Sequence, residues 1–388
     1  MELSFTDDQI AVRDAIAKLC EKYDDAYWLE RDTDGQFPED FVKDMADGGW
    51  LGIAMPEEYG GSGLGVIEAA LMMQTIAESG AGFSGASAVH INIFGPHPLV
   101  VHGTDEQKQK HLPALIAGKD RSCFGVTEPN AGLDTTRIET RAVRKGDHYI
   151  VNGRKMWTST AQTANKILLL ARTTPREEGK KPTDGITMFY TDFNREYCEA
   201  HVIEKMGRKA VDSNATFYDN LPVPVEDRVG EEGKGFYYIL DGLNPERILV
   251  ASESVGLGRA ALRKAVAYAN ERVVFDRPIG QNQAIQHPLA DAWAHLEAAD
   301  AMTWRAAALY DAGEPCGAEA NAAKYLAAEA CFTACERAVM THGGMGYAKE
   351  FHVERYLRES FISRIAPVSR EMILNFIGQH VLKMPRSY

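Results

Sequence analysis

The apolar positions change their period twice along the chain. Residues 6–23, "TDDQIAVRDAIAKLCEKY", place Val12, Ile16, Leu19, Cys20 and Tyr23 on one side of a helix, with Thr6 and Gln9 in capping-box spacing ahead of them. "FPEDFVKDMADGGW" predicts a short helix stopped by Gly48 and Gly49, and "PEEYGGSGLG" a glycine-rich loop. Helical patterns resume over 66–79 and 104–116. From about residue 123 to 224 the pattern shortens to β-branched and aromatic runs between turns: "HYIVNG", "KILLLAR", "GITMFYTD" and "ATFYDN". These predict a strand-rich section of barrel or sandwich type. Past "GEEGKGFYYIL" the helical period returns and holds to the end. The order is α, then β, then α, with boundaries expected near residues 118 and 230. That divides the chain into 1–118, 119–230 and 231–388.

Composition narrows the function classes. Of 388 residues 45% are apolar, enough for a substantial core, yet no apolar run reaches membrane-spanning length. The net charge of −13 comes without a basic stripe, which disfavours nucleic-acid binding. A phosphorylated ligand would need a few local Arg and Lys residues or helix N-termini. The six cysteines lack metal-ligand spacing, so no metal site is expected and buried free thiols are the reading. "MELSFTDDQI" carries no secretory or transit character, giving a soluble, cytoplasmic protein as the expectation.

Among the motifs, "GGSGLG" (60–65) follows a helical section rather than a strand, so it reads as a surface turn and not as a dinucleotide loop. "FGVTEPNAGLD" and "NGRKMWTST" each set hydroxyls or an aromatic in a strand-turn context: Thr127 in the first, Trp157, Thr158 and Ser159 in the second. An isoalloxazine ring needs such an aromatic wall and such hydrogen-bond partners, although each motif alone reads more readily as a packed strand. "ERVVFDRPIGQNQ" holds Arg272 and Arg277 beyond a long helix, as favourable charges at a helix C-terminus or as a phosphate clamp. "MTHGGMGY" is a glycine-rich helix exit with Gly343 as its cap and His342 as a structural residue.

Taken in order, "FPEDF…GGWLGIAMPEEYGGSGLG", "FGVTEPNAGLD", "NGRKMWTST", "KMGRKAVDS", "ERVVFDRPIGQNQ" and "THGGMGY" resemble the acyl-CoA dehydrogenase family over essentially the whole chain. The resemblance implies an α+β fold: an N-terminal α-helical domain, a middle β domain and a C-terminal four-helix bundle. It implies one noncovalent FAD per subunit and α,β-dehydrogenation of an acyl-CoA thioester to the 2-enoyl-CoA. By this analogy Trp157 lies by the flavin, Thr127 and Ser159 hydrogen-bond its ring, and Phe124 and Val126 sit in the strand facing it. Arg272, Phe275, Gln283, Gly343 and Gly344 match positions that hold the diphosphate and adenosine half across a subunit interface, and Ser369 joins the cofactor-binding set. A homo-oligomer, usually a tetramer, comes with that arrangement, as does an electron-transfer flavoprotein as electron acceptor.

The family's usual base is a Glu in a C-terminal "YEGT" segment after an Arg-Asp pair. Here, with Arg358-Glu359 as that pair, Ala366-Pro367-Val368-Ser369 occupies the segment. The carboxylate is missing, and Pro367 has no N–H to help hold the thioester oxygen. A branch of the family instead takes its base from a Glu-Arg pair at the start of another helix. "LNPERILVA" (243–251) matches that pattern, with Asn244 as expected N-cap, Pro245 as first helical residue, and Glu246 and Arg247 in the first turn. Glu246 is thus the candidate base, and Asn244 and Arg247 are candidate substrate contacts. Locally, Glu246 also suits the helix dipole, whereas Arg247 stands at the wrong end and calls for an acidic partner or an anionic ligand. Further departures are Leu133, Met340 and Asn244, where Ser, Gln and Asp are common. An oxygen-reactive flavoprotein of the same fold and a non-catalytic acyl-CoA-binding paralogue are the alternative readings.

Overall fold

The computed structural model describes residues 5–176 and 181–387. Among the described residues the N-terminal part holds seven α-helices: α1 (Asp7–Cys20), α2 (Asp25–Asp34), α3 (Glu39–Asp47), α4 (Val66–Ile76), α5 (Gly82–Ile93), α6 (His97–His102) and α7 (Asp105–Ile116). The capping box at Thr6 and Gln9 forms, and Val12, Ile16, Cys20 and Tyr23 are buried as their spacing predicts. α3 ends at Gly48, followed by left-handed Gly49. The 60–65 segment is an irregular loop between a 3₁₀ turn at Glu57–Tyr59 and α4, with no strand ahead of it.

Helix α5 has no counterpart in the sequence expectations. Its residues "GFSGASAVHINI" are small or apolar and almost all buried, so no exposed face gives a helical period. It is entered through Gly82 at φ 61°, where a Cβ would lie 2.5 Å from Glu359 Oε2. Its three buried polar side chains reach three different parts of the molecule. Ser84 Oγ donates to Glu359 Oε1 at 2.6 Å, His90 Nδ1 meets Glu253 Oε1 at 2.6 Å, and Asn92 Oδ1 accepts from Ser122 N at 3.0 Å. α5 is therefore the hub between the three sections.

The middle section is one eight-stranded sheet: β1 (Ser122–Gly125), β2 (Arg141–Lys145), β3 (His148–Ser159), β4 (Lys166–Arg172), β5 (Ile186–Asp192), β6 (Cys198–Val202), β7 (Ser213–Pro224) and β8 (Arg228–Val229). Its order is β6-β7-β3-β2-β4-β5-β8, with β1 parallel to β4. Successive side chains of a strand face opposite sides, and β4 is buried on both. Leu168 and Leu170 pack with Leu112 and Leu115 of α7, while Ile167, Leu169 and Ala171 pack with Tyr149, Val151 and Leu221 inside the curved sheet.

The C-terminal part comprises α8 (Gly235–Asp241), α9 (Leu243–Glu271), a hairpin of β9 (Val273–Val274) and β10 (Arg277–Pro278), then α10 (Gln283–Asp311), α11 (Gly317–His342), α12 (Val353–Ile365) and α13 (Arg370–Phe376). α9, α10 and α11 form the centre of the bundle, and α4 packs onto α9. Small residues allow close approach: a Cβ on Gly256 would meet Gln74 O at 2.3 Å. The start of α9 differs from expectation. Asn244 is not its cap, because α8 runs through Gly242, itself in right-handed helical conformation, almost directly into α9. The helix begins at Leu243, and Pro245 sits in the first turn, where a missing N–H costs no intrahelical bond. Glu246 remains in that turn, its N–H donating to Gly242 O at 3.2 Å. All six cysteines are free and buried, and no group of potential metal ligands occurs among the described residues. No described helix is long and apolar enough to cross a membrane.

Candidate active site

The first turn of α9 presents Glu246 beside α5. Its side chain is 26% exposed, and its Oε1 lies 3.7 Å from His90 Nε2. Seven residues further along α9, two helical turns, Glu253 comes back to the same side and takes His90 Nδ1 at 2.6 Å. Glu253 is 2% exposed, and His90 Nε2 is buried without a hydrogen-bond partner. Burial alone would push the imidazole pKa down, but the Glu253 and Glu246 carboxylates raise it to about 10. His90 is therefore an imidazolium at neutral pH.

Further along the chain from His90, Phe94 packs its ring edge-on at 5.9 Å and His97 stacks on Phe94 at 6.0 Å. Tyr310 OH reaches His97 Nε2 at 3.5 Å. Burial, reinforced by the neighbouring His102, lowers the His97 pKa to about 4, so this ring is neutral.

Arg247, next to Glu246, has no carboxylate within ion-pair distance among the described residues. Nη1 donates to Asn244 Oδ1 at 3.2 Å, and Nε is buried with no partner. Burial lowers its pKa. Lys324 of α11 donates to Val368 O at 2.7 Å, tethering the segment that carries Pro367. Burial, with Arg247 as a nearby like charge, pushes the Lys324 ammonium down to about 8.

The other acids of the C-terminal run are committed elsewhere. Glu359 accepts from Ser84 N and Oγ and from Arg355 Nη1. Glu371 is 71% exposed and pairs with Arg370. Ser369 Oγ accepts from Met372 N and caps α13.

In the middle section, Phe124 lies on β1, Val126 just beyond it, and Trp157 and Ser159 lie near the end of β3. The loop holding Thr127 is tied to β3 by Met156 N donating to Thr127 O at 2.8 Å. A buried ion pair reinforces this tie. Lys155 Nζ donates to Glu128 Oε1 at 2.8 Å and to Val126 O at 3.1 Å, and Glu128 also accepts from Glu139 N and Thr140 N. Trp157, at φ 62°, leaves an indole 55% exposed at this edge. Ser159 Oγ accepts from Arg208 Nη2 at 3.0 Å, and Arg208 Nε is buried without a partner. Burial lowers the Arg208 pKa, against the pull of the Glu253, Glu359 and Asp212 carboxylates, and the adjoining Gly207 packs against the backbone of Arg358 and Glu359 in α12. An uncovered indole, hydroxyls and an unfilled guanidinium at one edge fit the ring of FAD.

Arg272, Phe275 and Gln283 sit beyond the far end of α9, on the hairpin and at the start of α10. Gly343 and Gly344 adjoin them, because Tyr268 near the end of α9 stacks on His342 at 4.3 Å. Phe275 is 94% exposed. This set is separated from Glu253 by 19 residues of helix, about 28 Å at 1.5 Å per residue.

His90, Glu253 and Arg208 were missed by sequence reasoning. His90 and Glu253 are 163 residues apart and meet only when α5 packs on α9. The one local signal was a lone His with Asn92 in an otherwise apolar run.

A helical domain, a curved sheet with an aromatic and hydroxyl edge, and a helical bundle with a carboxylate at one helix start fit a flavoprotein oxidoreductase, and the comparisons with known proteins agree. Models of three domains of one family match in order: "Acyl-CoA dehydrogenase, N-terminal domain" over residues 6–119, "middle domain" over 123–221 and "C-terminal domain" over 233–382. Acyl-CoA dehydrogenase fadE12 of Mycobacterium bovis is 36% identical, over 99% of this chain and 98% of its own. The caffeyl-CoA reductase-Etf complex subunit CarC of Acetobacterium woodii is 36% identical, over 85% of this chain and 86% of its own. The structure of butyryl-CoA dehydrogenase from Megasphaera elsdenii superposes with a TM-score of 0.93 at 30% identity, covering 98% of this chain and all of that one. The chain belongs to the acyl-CoA dehydrogenase family, whose cofactor is FAD.

Proposed function

We propose that this protein removes the elements of hydrogen from Cα and Cβ of an acyl-CoA thioester, giving the 2-enoyl-CoA, with Glu246 as the base. The observation that carries the reading is Glu246 itself. It is a part-exposed carboxylate at the helix start, while Glu359 is locked by Ser84, Glu371 is paired outside, and Pro367 replaces the usual acid. An acyl α-proton is weakly acidic, so abstraction needs a carboxylate in contact with it and shielded from water. The Cα–H bond breaks with its proton passing to Glu246. Bound FAD supplies the acceptor for the hydride leaving Cβ. Arg247 contributes an unfilled cationic donor to the substrate, with Asn244 holding its guanidinium from one side.

Trp157, Thr127, Ser159, Phe124 and Val126 form the flavin-side surface in this reading, and Ser369 belongs to its periphery. Arg272, Phe275, Gln283, Gly343 and Gly344 hold the adenosine half for a second copy of the chain. The stretch of α9 between the two sets supports a site completed across a homo-oligomer interface, tetrameric as is usual in the family. Electron-transfer flavoprotein is the acceptor, as the name of the Acetobacterium relative suggests. A cytoplasmic location accords with six free, buried cysteines. The test is anaerobic titration of the purified yellow protein with a panel of acyl-CoAs. Bleaching of the flavin with appearance of a product two hydrogens lighter supports the reading. An unbleached flavin across straight, branched and aromatic acyl groups overturns it.

A further inference from the structure

The His90 clamp lies outside every role derived so far. One face of the ring is fixed: Nδ1 meets Glu253 at 2.6 Å, and Glu253 is itself buried within α9. The other ring nitrogen is buried, has no hydrogen-bond partner, and lies 3.7 Å from Glu246 Oε1. A buried donor left unmade costs free energy. Here one partner is within reach, since closing the gap to ordinary hydrogen-bond length takes a shift of less than about 1 Å. Contacts of this kind are often long without ligand and tighten when substrate is bound.

We propose that His90 is the positioning residue for Glu246, a charged imidazole clamped by Glu253 that presents Nε2–H to the base carboxylate. The proposal rests on Glu246 being the base. Its logic is that of a base oriented by a second group which a third group holds in place. With Nδ1–H committed to Glu253, the ring cannot flip without leaving a buried carboxylate unpaired. Its Nε2–H therefore points one way, and it selects the Glu246 rotamer that faces α5. A carboxylate held by one oxygen keeps the other free for the substrate Cα–H.

The other charges packed around this clamp are known. Arg208 acts on Glu253 from the middle section, Glu359 of α12 is held by Ser84 and Arg355, and His97 further along the chain is neutral. None of these comes within ion-pair distance of the His90 ring, so its charge is held by Glu253, with Glu246 adding to it from the other side.

The test is the pH profile of anaerobic flavin reduction by saturating acyl-CoA, in Glu246→Gln, Glu253→Gln, His90→Gln and the unaltered holoenzyme. Loss of reduction in Glu246→Gln secures the base assignment on which the proposal depends. Given that, the unaltered enzyme loses rate as pH rises through about 10. Glu253→Gln moves this descending limb down by roughly two pH units or more, toward the ordinary histidine value of about 6.5. His90→Gln abolishes that limb, and retains more rate than a further variant measured alongside it, His90→Leu, because the amide still offers an N–H. A descending limb unmoved in both Glu253→Gln and His90→Gln overturns the proposal while leaving Glu246 in place. An active Glu246→Gln instead overturns the underlying reading.

Discussion

Replacing Lys155 by Met tests how the flavin-side loop is held. Lys155 Nζ is fully buried on β3 and bridges Glu128 and the Val126 carbonyl, on either side of Thr127. Burial pushes the ammonium down to about 8, and Glu128 holds it charged. Methionine matches the stem of the side chain but leaves Glu128 buried with its two backbone donors and no cation. Removing one member of a buried pair costs about 3–5 kcal/mol. For a chain of 388 residues melting as one unit, that corresponds to a fall in thermal midpoint of roughly 4–6 °C. Lys155→Met combined with Glu128→Gln removes the stranded charge as well, and should recover part of the loss. Thermal scans of the three variants, read alongside flavin retained per chain after gel filtration, measure this. A Lys155→Met variant that melts within about 2 °C of the parent refutes the reasoning, because the pair would then carry no net stabilisation in place.

Arg247→Met separates a ligand-side role from a structural one. With no carboxylate to strand, its ligand-free stability should match or exceed that of the parent, while acyl-CoA binding measured by calorimetry weakens about tenfold or more, some 1.4 kcal/mol. His97, lowered to about 4, is neutral from pH 5 to 9, so His97→Gln should leave the pH profile of flavin reduction in that range unmoved whatever it does to the rate. His90 has the opposite sign. Its folded pKa is raised from 6.5 to about 10, so its stabilisation is fully present below about 6.5 and is lost as pH rises through 10. The stability difference between parent and His90→Gln, followed by urea unfolding, should shrink across that interval.

Much of the architecture is legible in residue order. The α1 face, the Gly48–Gly49 stop, the strands "HYIVNG" and "KILLLAR" and the return to helix each follow a local period or a local breaker. Two things are not. α5 is buried around nearly its whole circumference, so its small and apolar residues show no face to read. The beginning of α9 was misplaced because Asn244-Pro245 is a good local start signal, overridden by continuity from α8 through Gly242. The candidate site divides along the same line. Glu246 is singled out by the family resemblance, which sets Pro367 in the usual base segment against the Glu246-Arg247 pair, but its neighbours are not. His90 and Glu253 acquire a meaning only from helix packing, and Arg208 only from the contact between the sheet edge and the bundle.

The most direct measurement is the rate of flavin reduction in a single anaerobic turnover, compared between the parent and Glu246→Gln with equal FAD content. With Glu246 as the base, the amide should slow reduction by at least about a hundredfold, the range ordinarily lost with a general base, while acyl-CoA still binds. A Glu246→Gln variant reducing its flavin within threefold of the parent would contradict the assignment.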